Sequence, residues 1–185
     1  WQIDSSGALF YEDIAAPVYE AISKIQLPSD DQLRGSSTAT PNIDNAYLQL
    51  PEVSARMREL ADSLTSGTTT TVDRARTIES WLRTQFRYTL DLPATASQAG
   101  LENFLFERRA GHCEYFSSAM VVLLRLAGIP ARNVNGFMGG QWNEFGNFLT
   151  VTQNQAHSWV EVWLPTFGWV TFDPTPAAVS DVAGT

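Results

Sequence analysis

The stretch RRAGHCEYFSSAMVVLLRLAGIPAR, residues 108–132, decides the fold of this chain. Apolar residues follow its cysteine on more than one helical stripe, a pattern typical of a helix buried in a core. We predict a helix from about Cys113 to Ala127, because Gly128 favours the left-handed turn that closes a helix and Pro130 prevents its continuation.

Cys113 is the single cysteine of the chain and lies at the start of this predicted helix. Unpaired amide groups and the positive end of the helix dipole favour a thiolate there. Gly111 allows a sharp turn into the helix. We therefore interpret Cys113 as a nucleophile. The alternative is a small core residue, the commoner role of a lone cysteine in apolar surroundings.

Composition limits the classes of protein to consider. With 185 residues, 44% of them apolar, the chain can bury one substantial core. Its 12 basic and 20 acidic residues give a net charge of −8 without a basic cluster, which argues against a nucleic-acid partner. One cysteine excludes an internal disulfide. The longest apolar run, residues 119–124, is far shorter than the roughly 20 residues that cross a bilayer.

The patterns predict a single α+β domain, with N-terminal helices and a buried cysteine-bearing helix packed on an antiparallel sheet. We divide it into four parts: a peripheral segment with a long polar connection (1–50), a helical part (51–103), a core (104–176) and a tail (177–185). The chain begins with Trp1 and ends in a small polar tail, so we expect it to be a piece of a longer protein.

Three helices are predicted before the core. A weak signal covers residues 11–26, a second helix is expected to start at Pro51, and a third to start after a cap at Thr70 or Thr71. The third has a regular apolar stripe, as a helix packed on a core requires. None of them carries an obvious catalytic pattern.

A thiolate needs a proton acceptor, and the chain has two histidines. His112 is adjacent to Cys113, so the two side chains point in different directions. His157 opens HSWVEVWLPTFGWVTFDPTP, where we predict antiparallel strands over about 157–164 and 168–173. We therefore expect His157 to be the base.

The register of this strand pair places an acid beside the histidine. Pairing Trp163 with Trp169 keeps both apolar faces aligned and puts Asp173 diagonal to His157, about 7 Å apart on one face. A one-residue slip at Gly168 would move Asp173 to the opposite face. Cys113, His157 and Asp173 thus form a predicted set of nucleophile, base and orienting acid.

Other interpretations remain open at this point. Glu161 shares the face of His157 but lies roughly 13 Å along the strand. The same residues, with His112, would also suit a zinc ion as ligands. A third interpretation is a binding module on the same fold, without competent catalytic geometry.

The motifs GHCEYFSSAMVVLLRLAGIPARNVNGF and AHSWVEVWLPTFGWVTFDPTP resemble the core of the transglutaminase-like superfamily. Its pattern is a Gly-x-Cys-Glu helix ending in Gly-Ile-Pro-Ala-Arg, a His-x-Trp-x-Glu strand and an Asp-Pro-Thr strand end. The resemblance is strong over about residues 104–176 and weak over the preceding helices. Within the superfamily, the chain is most similar to the extracytoplasmic domains of bacterial membrane-anchored members of the TgpA type.

The resemblance implies a papain-like α+β fold with Cys113 as nucleophile, His157 as base and Asp173 as acid. It implies acyl transfer from a protein or peptide glutamine to an amine through a thioester, with peptidase or amidase activity as the alternative. No cofactor or metal is implied, and no calcium loop is evident. It also implies a periplasmic domain of an inner-membrane protein, attached through segments outside this chain.

The sequence also suggests residues that bind the oxyanion and residues that cover the site. The Cys113 amide is expected to bind the oxyanion, with Trp81, Tyr88 or Gln98 as the second donor. A glycine-rich loop, GFMGGQWNEFGNF, precedes the histidine strand, and we expect its apolar residues, with Trp159, to cover the thioester and exclude water.

Overall fold

The computed structural model describes residues 2–3, 9–10, 20, 28–36, 43–91 and 100–177. Strands β1 (Gln2–Ile3) and β2 (Leu9–Phe10) form a short antiparallel pair. Nearly all of the helix predicted over residues 11–26, the candidate donor Gln98 and the tail beyond residue 177 lie outside the described residues.

The predicted polar connection contains a helix that we did not expect, α1 (Asp30–Arg34). Ser29 caps its first turn, and the Gln32 side chain accepts from the Ser29 amide, which completes a capping box. Leu33 is buried in the core. The predicted long polar connection is therefore helical over these residues, and the Ser-x-x-Gln pattern is the sequence signal for that helix.

Two longer helices follow, α2 (Ala55–Thr65) and α3 (Thr71–Gln85). Helix α2 starts at Ala55, four residues after the predicted Pro51, because the Ser54 hydroxyl accepts from the Met57 amide and caps the helix there. The predicted cap at Thr70 is confirmed. The buried face of α3 contains one acid among apolar residues: Val72, Ala75, Ile78, Glu79 and Leu82.

A short parallel pair links the end of α3 to the cysteine segment. Strand β3 (Arg87–Tyr88) pairs with β4 (Ala110–Gly111), so that Tyr88 lies opposite Gly111. Between them are α4 (Leu101–Asn103) and a π-helical turn (Phe104–Arg108). This pairing holds the residues before Cys113 against the body of the molecule.

The buried helix α5 (Cys113–Leu126) agrees with the prediction to within one residue at its end. Gly128 takes a φ of 73°, in the left-handed region that lets the chain leave the helix. The side chains of Phe116, Ala119, Met120, Leu123 and Leu124 are fully buried. A helix enclosed on several sides gives its first turn, and therefore Cys113, a fixed position.

The main sheet is antiparallel with the order β5-β8-β9. Its strands are β5 (Ala131–Phe137), β8 (Ala156–Leu164) and β9 (Gly168–Phe172); the hairpin of β6 (Gln141–Asn143) and β7 (Phe148–Thr150) lies between β5 and β8 in the chain. One face of β8 packs against α5 through Ser158, Val160, Val162 and Leu164. The predicted α+β class is confirmed.

The β8–β9 register is the one expected from the sequence. Trp163 pairs with Trp169, and Val160 pairs with Phe172. Gly168 takes a φ of 74° and pairs with Leu164, so the turn is accommodated without a slip. Among the described residues, no helix has the length and apolar composition required to cross a membrane.

Candidate active site

The histidine and aspartate predicted from the sequence are in contact. His157 Nε2 lies 2.8 Å from Asp173 Oδ2, and the two side chains are 16% and 29% exposed. Since a carboxylate only accepts hydrogen bonds, the proton of a neutral His157 resides on Nε2. This leaves the lone pair of Nδ1 free to accept a proton from a thiol.

Two hydrogen bonds hold Asp173, one through its side chain and one through its own amide. Its Oδ1 accepts from the Thr175 amide at 3.0 Å, a local turn typical of aspartate. Its own amide donates to Glu79 Oε1 at 2.9 Å. The carboxylate therefore leaves the end of β9 in a direction that the surrounding bonds determine.

Cys113 occupies the first position of α5, with His112 as the cap residue in extended conformation. The thiol is free and half-buried. A Cβ added at Gly111 would lie 2.9 Å from Tyr115 Cδ2, so this turn requires glycine. The first turn of a helix carries amide groups without intrahelical partners, and these are suited to bind negative charge.

Two serines connect the cysteine helix to the histidine strand. Ser117, one turn after Cys113, is hydrogen-bonded to Ser158 with 2.8 Å between the hydroxyl oxygens, and both side chains are buried. Ser158 directly follows His157. Its hydroxyl also lies 2.9 Å from Asn133 Oδ1 and 2.8 Å from Asn135 Oδ1. The bond fixes the start of α5 relative to this end of β8.

The alternative acid is engaged elsewhere. Glu161 Oε2 accepts from Arg132 at 2.7 Å, and the Arg132 guanidinium lies 4.3 Å from the centre of the Trp169 ring. Glu161 therefore stabilises the pairing of β5 with β8. Asp173, and not Glu161, is the acid in contact with His157.

Trp159 forms an apolar wall beside the histidine. Its ring is stacked near His157, with 6.3 Å between ring centroids and 20° between planes. A Cβ at Gly136, opposite His157 on β5, would lie 2.7 Å from Trp159 Cη2. Glycine at this position lets the indole lie flat against the neighbouring strand.

Of the two candidate oxyanion donors that the structure describes, Tyr88 is the one paired with the cysteine segment. It pairs with Gly111, two residues before Cys113. Burial raises the pKa of Tyr88, and the charge of Cys113 raises it further. Trp81 instead packs edge-to-face on Phe86, with 4.9 Å between centroids.

His112 has contacts other than those of the His157–Asp173 pair. Its ring packs edge-to-face on Tyr115 with 5.1 Å between centroids, and it lines a cavity of about 300 Å³ together with Leu101, Glu114, Tyr115 and Ser118. Among the residues that the structure describes, no group of three or more His, Cys, Asp or Glu side chains is placed to hold a metal ion.

The glycine-rich loop forms the β6–β7 hairpin, and its apolar side chains point into solvent. Trp142 is 58% exposed and Phe145 is fully exposed; Phe137, Met138, Phe148 and Leu149 are each about half exposed. The expectation that these residues cover the site is therefore wrong for this conformation.

The supporting residues were missed by the sequence interpretation. Glu79 gave a usable signal, since it is an acid on the apolar stripe of α3. Ser117 lies among apolar residues of α5, and Ser158 begins the buried face of β8. A polar residue on a buried face needs a partner. The identity of that partner requires the tertiary fold.

The sequence of this chain is similar to those of several known proteins. The model of the transglutaminase-like superfamily matches residues 58–174. An uncharacterized protein of Bacillus subtilis, YebA, is 45% identical over 138 residues, which cover 70% of this chain and 19% of that protein. A protein-glutamine gamma-glutamyltransferase of Pseudomonas aeruginosa is 44% identical over 141 residues, which cover 75% of this chain and 21% of that protein.

The fold is similar to that of a solved structure, the periplasmic domain of TgpA from Pseudomonas aeruginosa. The TM-score is 0.65 at 41% sequence identity, over 72% of this chain and 48% of that chain. The chain spans about a fifth of the length of the curated relatives it matches. Its helices and antiparallel sheet form the papain-like core expected from the motifs. The match extends over more than half of its residues, and the chain belongs to the transglutaminase-like superfamily.

Proposed function

We propose that this chain is a cysteine-dependent acyltransferase that acts as a protein-glutamine gamma-glutamyltransferase, with Cys113, His157 and Asp173 as its catalytic residues. The observation that carries the proposal is the 2.8 Å contact between His157 Nε2 and Asp173 Oδ2. It favours the tautomer with the proton on Nε2, and in the proposed reaction Nδ1 then accepts the thiol proton. The relative named as a gamma-glutamyltransferase supports the choice of reaction.

In the first half of the reaction, the Cys113 proton moves to His157 Nδ1, and the thiolate attacks the side-chain amide carbon of a glutamine. Asp173 stabilises the resulting imidazolium. The Cys113 amide, in the first turn of α5, binds the developing oxyanion. The C–N bond then breaks, Nδ1 returns its proton to the leaving nitrogen, and ammonia departs from a thioester on Cys113.

In the second half, a primary amine attacks the thioester carbon while Nδ1 accepts its proton. The C–S bond breaks, the proton returns to sulfur, and the product carries a new amide bond. Trp159 beside His157 supplies an apolar wall that limits the access of water. The acyl donor is a protein or peptide glutamine and the acceptor is an amine.

Hydrolysis by the same residues is the second candidate, as an amidase or a peptidase. The exposed side chains of the β6–β7 hairpin favour it, since side chains that are half or fully in solvent give little shielding from water. Water would then compete with the amine for the thioester. We place the domain in the periplasm, attached to the inner membrane through other segments, by analogy with the TgpA domain.

The test is to incubate the protein with a glutamine-containing protein and a labelled primary amine. The ratio of label incorporated to ammonia released should approach one for transfer. A ratio near zero that does not rise with amine concentration would establish an amidase, and new amino termini without ammonia a peptidase. Cys113→Ala should lose every product. Glu52→Gln, an exposed change before α2, serves as the matched control.

A further inference from the structure

One buried acid outside the proposed catalytic set has both of its oxygens engaged. Glu79 lies on α3 and is 7% exposed. Its Oε1 accepts from the amide of Asp173 at 2.9 Å, and its Oε2 accepts from Arg76 Nη1 at 2.8 Å. The carboxylate thus bridges a guanidinium on its own helix and the backbone at the end of β9.

Arg76 is itself held in place. Its Nη2 donates to Asp30 Oδ1 at 2.8 Å, and its Nε lies 3.2 Å from Asp30 Oδ2, a two-point contact with α1. Its guanidinium lies 4.6 Å from the centre of the Phe172 ring, directly before Asp173. The hydrogen bond to Asp30 raises the pKa of Arg76, and the bond to Glu79 raises it further. Arg76 therefore keeps its charge and its orientation.

Stability alone does not account for this arrangement. Replacing a buried ion pair with apolar residues of similar size is often neutral or stabilising, because desolvation offsets the attraction between the charges. The neighbouring positions on this face of α3 are apolar. An acid here gives what an apolar side chain lacks, a hydrogen-bond acceptor at a fixed point beside the Asp173 amide.

We propose that Glu79, oriented by Arg76 and Asp30, is a positioning residue that sets the direction of the Asp173 side chain and through it the orientation of His157. The inference deepens the proposed function and rests on the roles given there to Asp173 and His157. Asp173 is the first residue beyond the β9 ladder, so its backbone lacks a strand partner and depends on the bond to Glu79. A displacement of about 1 Å can cost on the order of a hundredfold in rate.

The test uses two substitutions with different expected results. Glu79→Ala removes the acceptor, whereas Glu79→Gln keeps a carbonyl oxygen that can accept from the Asp173 amide. The readout is the rate at which iodoacetamide alkylates Cys113 near pH 6, which depends on the thiolate–imidazolium pair and requires no substrate. Ile78→Val, a change at a fully buried neighbour on α3, is the control for loss of packing.

We expect Glu79→Ala to lower the alkylation rate at pH 6 by about tenfold and Glu79→Gln by about threefold or less. In amine incorporation, Glu79→Ala should lower kcat while KM stays nearly unchanged. All rates are measured well below each variant's unfolding temperature. Equal rates in wild type and Glu79→Ala would overturn the inference. So would losses in Glu79→Ala and Ile78→Val that simply follow their unfolding temperatures.

The alkylation assay separates this inference from the proposed function. If Glu79→Ala slows alkylation but the wild type neither incorporates amine nor releases ammonia, the positioning role holds and the proposed reaction fails. If the wild type transfers acyl groups and Glu79→Ala does so equally well, the reaction holds and Glu79 has no positioning role.

Discussion

Two groups of residues at the same end of the main sheet are held in opposite ways. His157 and Asp173 are largely enclosed, and backbone or side-chain bonds fix both. The β6–β7 hairpin emerges beside them, since Phe137 at its base pairs with Ala156. Its large apolar side chains are half or fully exposed. Two strands paired only with each other are marginally stable in water.

The difference shows what fixes a side chain at the end of a sheet. Asp173 is bonded directly to α3, and Ser158, which follows His157 in the chain, is bonded to α5 and β5. Within the described part of the chain, the hairpin is held by its own ladder and by the Met138 amide, which donates to the Gln155 carbonyl at 2.8 Å. Substitutions should therefore have large effects on the first group and small effects on the second.

The largest effect is expected for His157→Ala. Without a proton acceptor, amine incorporation should fall at least about a thousandfold, as for other members of an activated-nucleophile set. Alkylation of Cys113 should be slow at pH 6 and should rise only as an ordinary thiol ionises, at about pH 8.5. The rate is followed by intact mass after timed additions of iodoacetamide. A wild-type rate that also rises only above pH 8 would favour the binding-module interpretation.

A smaller effect is expected at the link between the cysteine helix and the histidine strand. Ser117→Ala and Ser158→Ala should each lower the free energy of unfolding by about 1–3 kcal/mol, because each leaves a buried hydroxyl without that partner. The loss of unfolding free energy in the double variant should be smaller than the sum of the two single losses, by about 0.5 kcal/mol or more. Urea unfolding of the four proteins of this double-mutant cycle measures the difference. Ser80→Ala, an exposed change on α3, is the control, and additive losses would mean that the two hydroxyls act independently.

The sequence predicted the catalytic candidates better than their supports. Period-two alternation fixed the face and register of β8 and β9, so Asp173 could be placed beside His157 from local pattern alone. The bonds from Glu79 and Ser117 join residues 94 and 41 positions apart in the chain, and no local pattern specifies such pairs. The prediction that the apolar residues of the β6–β7 hairpin cover the site failed for a related reason. Apolar residues predict burial only where another surface is available to cover them.

Tyr88, near the proposed nucleophile, is expected to make the stability of the protein depend on pH. Its folded-state pKa is raised, first by burial and then by the charge of Cys113. As the pH rises, the tyrosine of the unfolded chain therefore loses its proton before that of the folded protein. The contribution of Tyr88 to the free energy of unfolding is fully present below about pH 10 and is lost as the pH passes through the higher folded-state pKa. The unfolding temperature of wild type should fall more steeply above pH 10 than that of Tyr88→Phe. Parallel curves would contradict this.

The smallest effect is expected in the hairpin. Phe145 is fully exposed and Trp142 is more than half exposed, so Phe145→Ser and Trp142→Ser should each change the free energy of unfolding by no more than about 0.5 kcal/mol. Phe172→Leu, a change in a buried ring at the end of β9, is the contrasting variant and should destabilise measurably. The ratio of incorporated label to released ammonia should also stay at its wild-type value, because both side chains are largely exposed to solvent. A lower ratio in Trp142→Ser, with unchanged stability, would mean that the hairpin closes over the thioester after acylation. The contrast between the fixed His157–Asp173 pair and the exposed β6–β7 hairpin would then hold only for the free protein. In the thioester intermediate, the hairpin would exclude water as the sequence predicted.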